Sequence, residues 1–120
     1  MYADRFEMCV AKVRHRFATA LESKIKSTIV SSDSMTRNED CAISSITESY
    51  RRLHSIYGVG ATVGFAATGA AAHDAENTLM DAYLEKRGLT EDEFANLRDA
   101  LARLQDAAES ELRVMYERGR

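Results

Sequence analysis

Residues 90–115 read TEDEFANLRDALARLQDAAESELRVM, and this stretch decides the fold class. Phe94, Leu97, Leu101, Leu104, Ala108, Leu112 and Met115 recur at steps of three and four. That spacing puts them on one face of a helix. Thr90-Glu91-Asp92-Glu93 opens the stretch with the T-x-x-E capping box. The Thr90 hydroxyl and the Glu93 carboxylate can satisfy amide donors that a first helical turn leaves open. Its acids also face the positive end of the helix dipole. A helix of this length with one apolar stripe needs other elements to cover it.

The rest of the chain supplies three more helical stretches. The first runs from about Tyr2 to Ile29, with Phe6, Val10, Val13, Phe17, Leu21 and Ile25 on one face. Ser31-Ser32-Asp33-Ser34 ends it, because these side chains compete for backbone hydrogen bonds. The second opens at Thr36-Arg37-Asn38-Glu39, a further capping-box pattern. Ile43, Ile46, Tyr50, Leu53 and Tyr57 follow, and Gly64 suits the left-handed residue just past a helix end. The third begins near Phe65 or Ala66 and runs to about Arg87, where Gly88 stops it. Its face is small: Ala71, Ala75, Thr78, Leu79 and Ala82. Gly69, a costly residue inside a helix, marks close packing. The expected fold is all-α, an antiparallel up-down four-helix bundle. With no linker, repeat or low-complexity tail, residues 1–120 are read as a single domain.

Composition agrees and narrows the function. Proline is absent and glycine numbers six, too little punctuation for a fold of many short strands. Sixteen basic and nineteen acidic residues give a net charge of −3, which argues against nucleic-acid binding by bulk positive charge. Cys9 and Cys41 lie in no metal-like spacing and are read as reduced. The first residues hold no uninterrupted apolar run, so no signal peptide is expected. The most apolar stretch, residues 58–72, is too short for a bilayer, which takes about 20 residues. The expectation is a cytoplasmic protein, monomeric, with no nucleic-acid or membrane partner.

A bundle names no function, so the reactive groups must. His15 stands between Arg14 and Arg16 on a solvated face, and His73-Asp74 reads as a surface pair. His54 is different. On a helical wheel it lies about 60° from the centre set by Ile46, Tyr50, Leu53 and Tyr57, at the edge of the core. Helical side chains lean toward the N-terminus, so residue 58 would normally cover this ring. Residue 58 is glycine. The reading is that something large must reach His54.

Two rivals fail on the residues. Gly58, Gly60 and Gly64 are spaced G-x-G-x-x-x-G with no strand before them, which is not a dinucleotide-binding turn. A ferritin-like metal bundle needs Glu-x-x-His, and the positions three before the histidines hold Lys12, Arg51 and Ala70.

Residues 54–65, HSIYGVGATVGF, resemble the histidine phosphotransfer (HPt) domain family. That family carries H-x-x-K-G-[S/A]-[A/S], then small residues and a later glycine. His54, Gly58 and Gly64 match, and Ala75-Glu76 and Leu79 resemble the apolar-plus-acidic continuation on the next helix. The likeness covers residues 50–80 as a motif and nearly the whole chain as a layout. One position departs: Tyr57 stands where the family has lysine. On the wheel Tyr57 points coreward. Arg51 or Arg52 is then left as the source of positive charge.

The resemblance implies that Nε2 of His54 takes a phosphoryl group from the aspartate of a receiver domain and passes it to another. Partners would be response-regulator receivers or a hybrid histidine kinase. The receiver would bring the acid cluster and Mg²⁺, so this chain would need no cofactor of its own and would be a carrier, not an enzyme. Arg51, Ser55, Tyr57, Gly58, Ala61 and Gly64 would support the site or the docking face, beside the start of the third helix. The alternative is an HPt-like bundle that binds a kinase or response regulator without carrying phosphate, and Tyr57 is the residue that favours it.

Overall fold

A computed structural model describes residues 2–37 and 39–118, and the side chains of 5–37 and 39–117. It contains four helices: α1 (Tyr2–Ser32), α2 (Asp40–Gly60), α3 (Ala66–Glu85) and α4 (Glu91–Arg118). Short joints make neighbours antiparallel. Helices α1 and α3 each pack on both α2 and α4. No helix among the described residues is long and apolar enough to cross a membrane.

The α4 stripe is buried as its spacing predicts: Leu97, Leu101, Leu104, Ala108 and Leu112 are inside, and Phe94 and Met115 pack at the margin. On α1 the prediction holds only in part. Phe17, Leu21 and Ile25 are buried, but Phe6 and Val13 are 71% and 45% exposed. The reason lies at the α2–α3 turn, which meets α1 at Arg14, whose Nε donates to the Val63 carbonyl at 2.7 Å. Residues before Arg14 extend past the hairpin that would cover them.

Helix α2 is rotated relative to the sequence reading. Its buried face is Ala42, Ile46, Ser49, Leu53, Ile56 and Gly60. Tyr57 is not coreward but 39% exposed. Small residues take the inside because α3 is close. A Cβ on Gly69 would stand 3.3 Å from the Ala61 nitrogen and 3.4 Å from the Tyr57 carbonyl, so its expected close packing is present. Opposite it, a Cβ on Gly60 would meet the Phe65 carbonyl at 3.2 Å. Large residues have no room in that seam, and Tyr50 and Tyr57 move to its rims.

The joints correct two expectations. The Thr36–Glu39 capping box does not form: α2 starts at Asp40, Glu39 holds the cap position with no side-chain bond, and Asn38 lies outside the described residues. Turns at 33–37 instead continue α1, and the buried Met35 accepts from the Leu89 amide at 2.7 Å. That tie keeps the chain from coiling into α2 at Thr36. Nor does Gly88 stop α3. Lys86 does, in the left-handed conformation at φ 52°, with its own amide and that of Arg87 returning to the Ala82 carbonyl. Gly88 is needed because a Cβ there would collide with the Arg37 carbonyl. Gly64 behaves as expected: at φ +92° it lets the Phe65 amide reach back to the Gly60 carbonyl at 2.7 Å.

The Thr90 capping box forms in both directions, Thr90 N to Glu93 Oε1 at 2.8 Å and Glu93 N to Thr90 Oγ1 at 3.1 Å. Arg87 grips the same carboxylate with both terminal nitrogens, at 2.7 and 3.1 Å. The bond from Arg87, against the opposing effect of burial, holds the Glu93 carboxyl down to about 2 from an ordinary 4.5. A folded value below the unfolded one adds stability above pH 4.5 that disappears as pH falls toward 2. Glu93→Gln should therefore unfold about 1 kcal/mol more easily at pH 7, with the difference from wild type vanishing near pH 2, in denaturant titrations across that range.

Helix α3 has no cap of its own, since its cap residue is Phe65. Glu111 of α4 supplies one from outside. Its Oε1 accepts from the Thr68 amide and the Thr68 hydroxyl, both at 2.6 Å. The negative charge also sits at the positive end of the α3 dipole. Glu111→Ala should cost about 1–2 kcal/mol, read as a lower denaturant midpoint with unchanged slope.

Candidate functional site

His54 lies on α2 just over a turn and a half before its end, and its side chain is 64% exposed. It stands further out than the wheel predicted, about 120° from the true buried centre rather than 60°, because of the rotation described above. Its Nδ1 is 2.7 Å from Oε1 of Glu76 on α3. Glu76 is itself buried, at 4% side-chain exposure. A carboxylate only accepts, so Nδ1 carries the proton and Nε2 is left with a lone pair. Glu76 thereby fixes both the tautomer and the ring's direction, the role an outer carboxylate plays behind a metal-bound histidine. The reactive nitrogen points away from the bundle while its back is anchored in it.

Aromatic rings hold the imidazole from the sides. Tyr50, one turn earlier, lies parallel to His54 with centroids 6.3 Å apart, and stacks in turn on Tyr83 of α3 at 4.1 Å. Burial, and then the Glu76 charge beside it, push the Tyr50 phenol up, so it stays neutral. On the other side Tyr57 meets His54 edge-on at 6.4 Å and stacks on His73 at 4.3 Å. His73 is therefore no surface partner of Asp74. Its Nδ1 lies 3.8 Å from Glu76 Oε2, and both atoms are buried without a hydrogen-bond partner.

The other residues singled out from the sequence divide into two groups. Ser55, Gly58 and Ala61 are exposed, and a Cβ on Gly58 would meet nothing within 4 Å. The space one turn beyond His54 is open. Arg51 is exposed. Arg52 is not available to the site, because it turns toward α1 and donates to the Thr28 hydroxyl at 3.1 Å. Gly64 shapes the α2–α3 turn, nearly three helical turns from His54, and sits against Arg14. Glu76, Tyr50 and His73 were missed as site residues. Only Glu76 left a signal, as an acid within a buried-looking alanine face.

The Hpt domain family model matches residues 16–107. The chain belongs to the Hpt domain family. The match covers α2 and α3 whole and parts of α1 and α4, and its range includes His54 and Glu76. Comparison with curated proteins and with solved structures found no match. An Hpt domain is a phosphotransfer module of two-component signalling, a carrier that works with receiver and kinase partners. His54 lies within the matched range of this Hpt domain, exposed and hydrogen-bonded to a buried carboxylate.

Proposed function

We propose that this protein is a phosphorelay intermediate whose His54 takes a phosphoryl group from one receiver domain and delivers it to another. The supporting observation is the exposed imidazole with Nδ1 bound to buried Glu76. Nε2 attacks the phosphorus of an aspartyl phosphate in line. The N–P bond forms, the P–O bond to the aspartate breaks, and the aspartate leaves as a carboxylate. The ring now carries phosphorus on Nε2 and a proton on Nδ1, so positive charge develops on it. The Glu76 carboxylate stabilises that charge. The return step to a second receiver is the same step reversed.

Phosphoryl transfer is governed by positioning and charge balance, and the imidazole brings only the nucleophile. The receiver supplies the acidic cluster and Mg²⁺, and the protein catalyses nothing alone. The docking face is the open surface of Ser55, Gly58 and Ala61, with the first turns of α3 beside it. No lysine lies on α2, and Tyr57 occupies the position of the family's cation. Arg51, exposed one turn before His54, and the partner supply the charge around the bound phosphate.

Incubation with a phosphorylated receiver tests this reading. Wild-type protein should acquire an acid-labile, base-stable label, and His54→Gln none. Absence of label on both, with receiver binding retained, would establish the phosphate-independent binding module instead.

A further inference from the structure

We propose that His73 is a positioning residue for the phosphoryl transfer, acting on His54 through the carboxylate the two histidines share. The inference rests on the reading of His54 as the acceptor and adds a residue of α3 to its site. Glu76 has two oxygens, and His54 uses one of them: Oε1 lies 2.7 Å from its Nδ1. Oε2 is buried and has no hydrogen-bond partner among the described residues. A bare carboxylate oxygen inside a protein is costly, so what stands opposite it matters.

Opposite it is Nδ1 of His73, one turn earlier on α3 and 3.8 Å away. That nitrogen is also buried and without a partner among the described residues. The separation is longer than a hydrogen bond, yet too short for a water to stand between the two atoms. A shift of about 1 Å closes it to the length of a bond between a ring N–H and a carboxylate. A neutral imidazole can present either a lone pair or a proton at Nδ1. A lone pair there repels the carboxylate, whereas a proton satisfies both buried atoms. The contact therefore selects the Nδ1–H form of His73, as Oε1 selects it for His54.

Glu76 is then held from both sides, one imidazole to each oxygen. A carboxylate bonded through one oxygen alone can turn about its last side-chain torsion, which has no sharp minimum. Holding the second oxygen fixes that turn and keeps Oε1 on the His54 ring. His73 thus secures the His54 tautomer from the far side of the carboxylate. Tyr57 completes the arrangement. Its ring stacks on His73 with centroids 4.3 Å apart and meets His54 edge-on at 6.4 Å. The His73 side chain is 44% exposed while its Nδ1 is buried. The stacked ring helps keep out water, which would compete for Oε2. Standing where the family has lysine, Tyr57 shields the carboxylate instead of adding charge.

Two substitutions in the full chain and one spectrum test this. Asparagine carries its amide nitrogen as many bonds from Cα as histidine carries Nδ1, so His73→Asn keeps a donor and gives up the ring. His73→Phe keeps a ring to stack on Tyr57 and gives up the donor. Acceptance from a phosphorylated receiver should slow about tenfold in His73→Phe and stay within about twofold of wild type in His73→Asn. Equal rates in the two variants, or the reverse order that a role for the ring alone requires, would overturn the proposal. Nitrogen chemical shifts of the wild-type His73 ring, which need no variant, should show a proton on Nδ1, and a bare Nδ1 overturns it as well. A wild type that takes no label at His54 would remove the acceptor reading and this inference with it. A labelled wild type with indifferent variants would remove this inference alone.

Discussion

Gly58→Leu should cut phosphoryl transfer to His54 by about a hundredfold or more while leaving the bundle as stable as before or slightly more so. The two halves of that expectation come from one observation. A side chain at position 58 meets nothing in the protein, so nothing in the fold resists it. Exchange of an exposed helical glycine for leucine favours the helix, by about 0.8 kcal/mol on propensity alone. The side chain it gains leans back toward the preceding turn, which is where His54 stands. A receiver must bring phosphorus to within bonding reach of Nε2, and a leucine there occupies the approach. The measurement is a phosphotransfer time course paired with thermal unfolding. Transfer at the wild-type rate would show that the receiver comes from another side and that Gly58 has no part in access. Gly58→Ala, which adds one carbon, should lie between the two.

What could be read ahead of the structure follows from the range over which each feature is decided. The α4 stripe and the Thr90–Glu93 box are local: spacing and capping chemistry fix them within a few residues. The exposure of His54 and the emptiness at Gly58 were legible for the same reason. The contact that prepares His54 was not, because Glu76 is 22 residues away on another helix. It depends on how far each helix is turned about its own axis. That rotation misled the reading of α2. Weighting Tyr50 and Tyr57 as core residues ignored Ala42, Ser49 and Gly60, which bury completely once Gly60 and Gly69 bring the helices together. A seam built on small residues gives a weak hydrophobic signal, and the large rings beside it give a false one. The Thr36 capping box failed through tertiary competition, since the Leu89 amide claims the Met35 carbonyl one residue earlier. The exposed apolar residues of α1 belong to the same class. A stripe shows which face is apolar, not how far its cover extends.

Glu76→Gln should slow phosphoryl acceptance by about ten- to a hundredfold, with little change in fold stability. Glutamine has the shape of glutamate and can still accept from Nδ1 through its oxygen. It can equally turn its amide and donate to Nδ1, which moves the ring proton to Nε2 and removes the attacking lone pair. It also lacks the charge that balances the ring as the N–P bond forms. Stability should survive because the buried carboxylate already has one oxygen without a partner, 3.8 Å from His73 Nδ1. An amide there has a donor to offer that atom. Nitrogen chemical shifts of the labelled His54 ring separate this account from a merely structural one. Wild type should show its proton on Nδ1, and the variant a mixture of the two forms. If the variant keeps the wild-type tautomer and the wild-type rate together, Glu76 only fills space. A slow variant with an unchanged tautomer would leave the charge as the whole of its contribution. In either form the prediction separates the carboxylate from the imidazole, since His54→Gln should remove the label outright and Glu76→Gln only delay it.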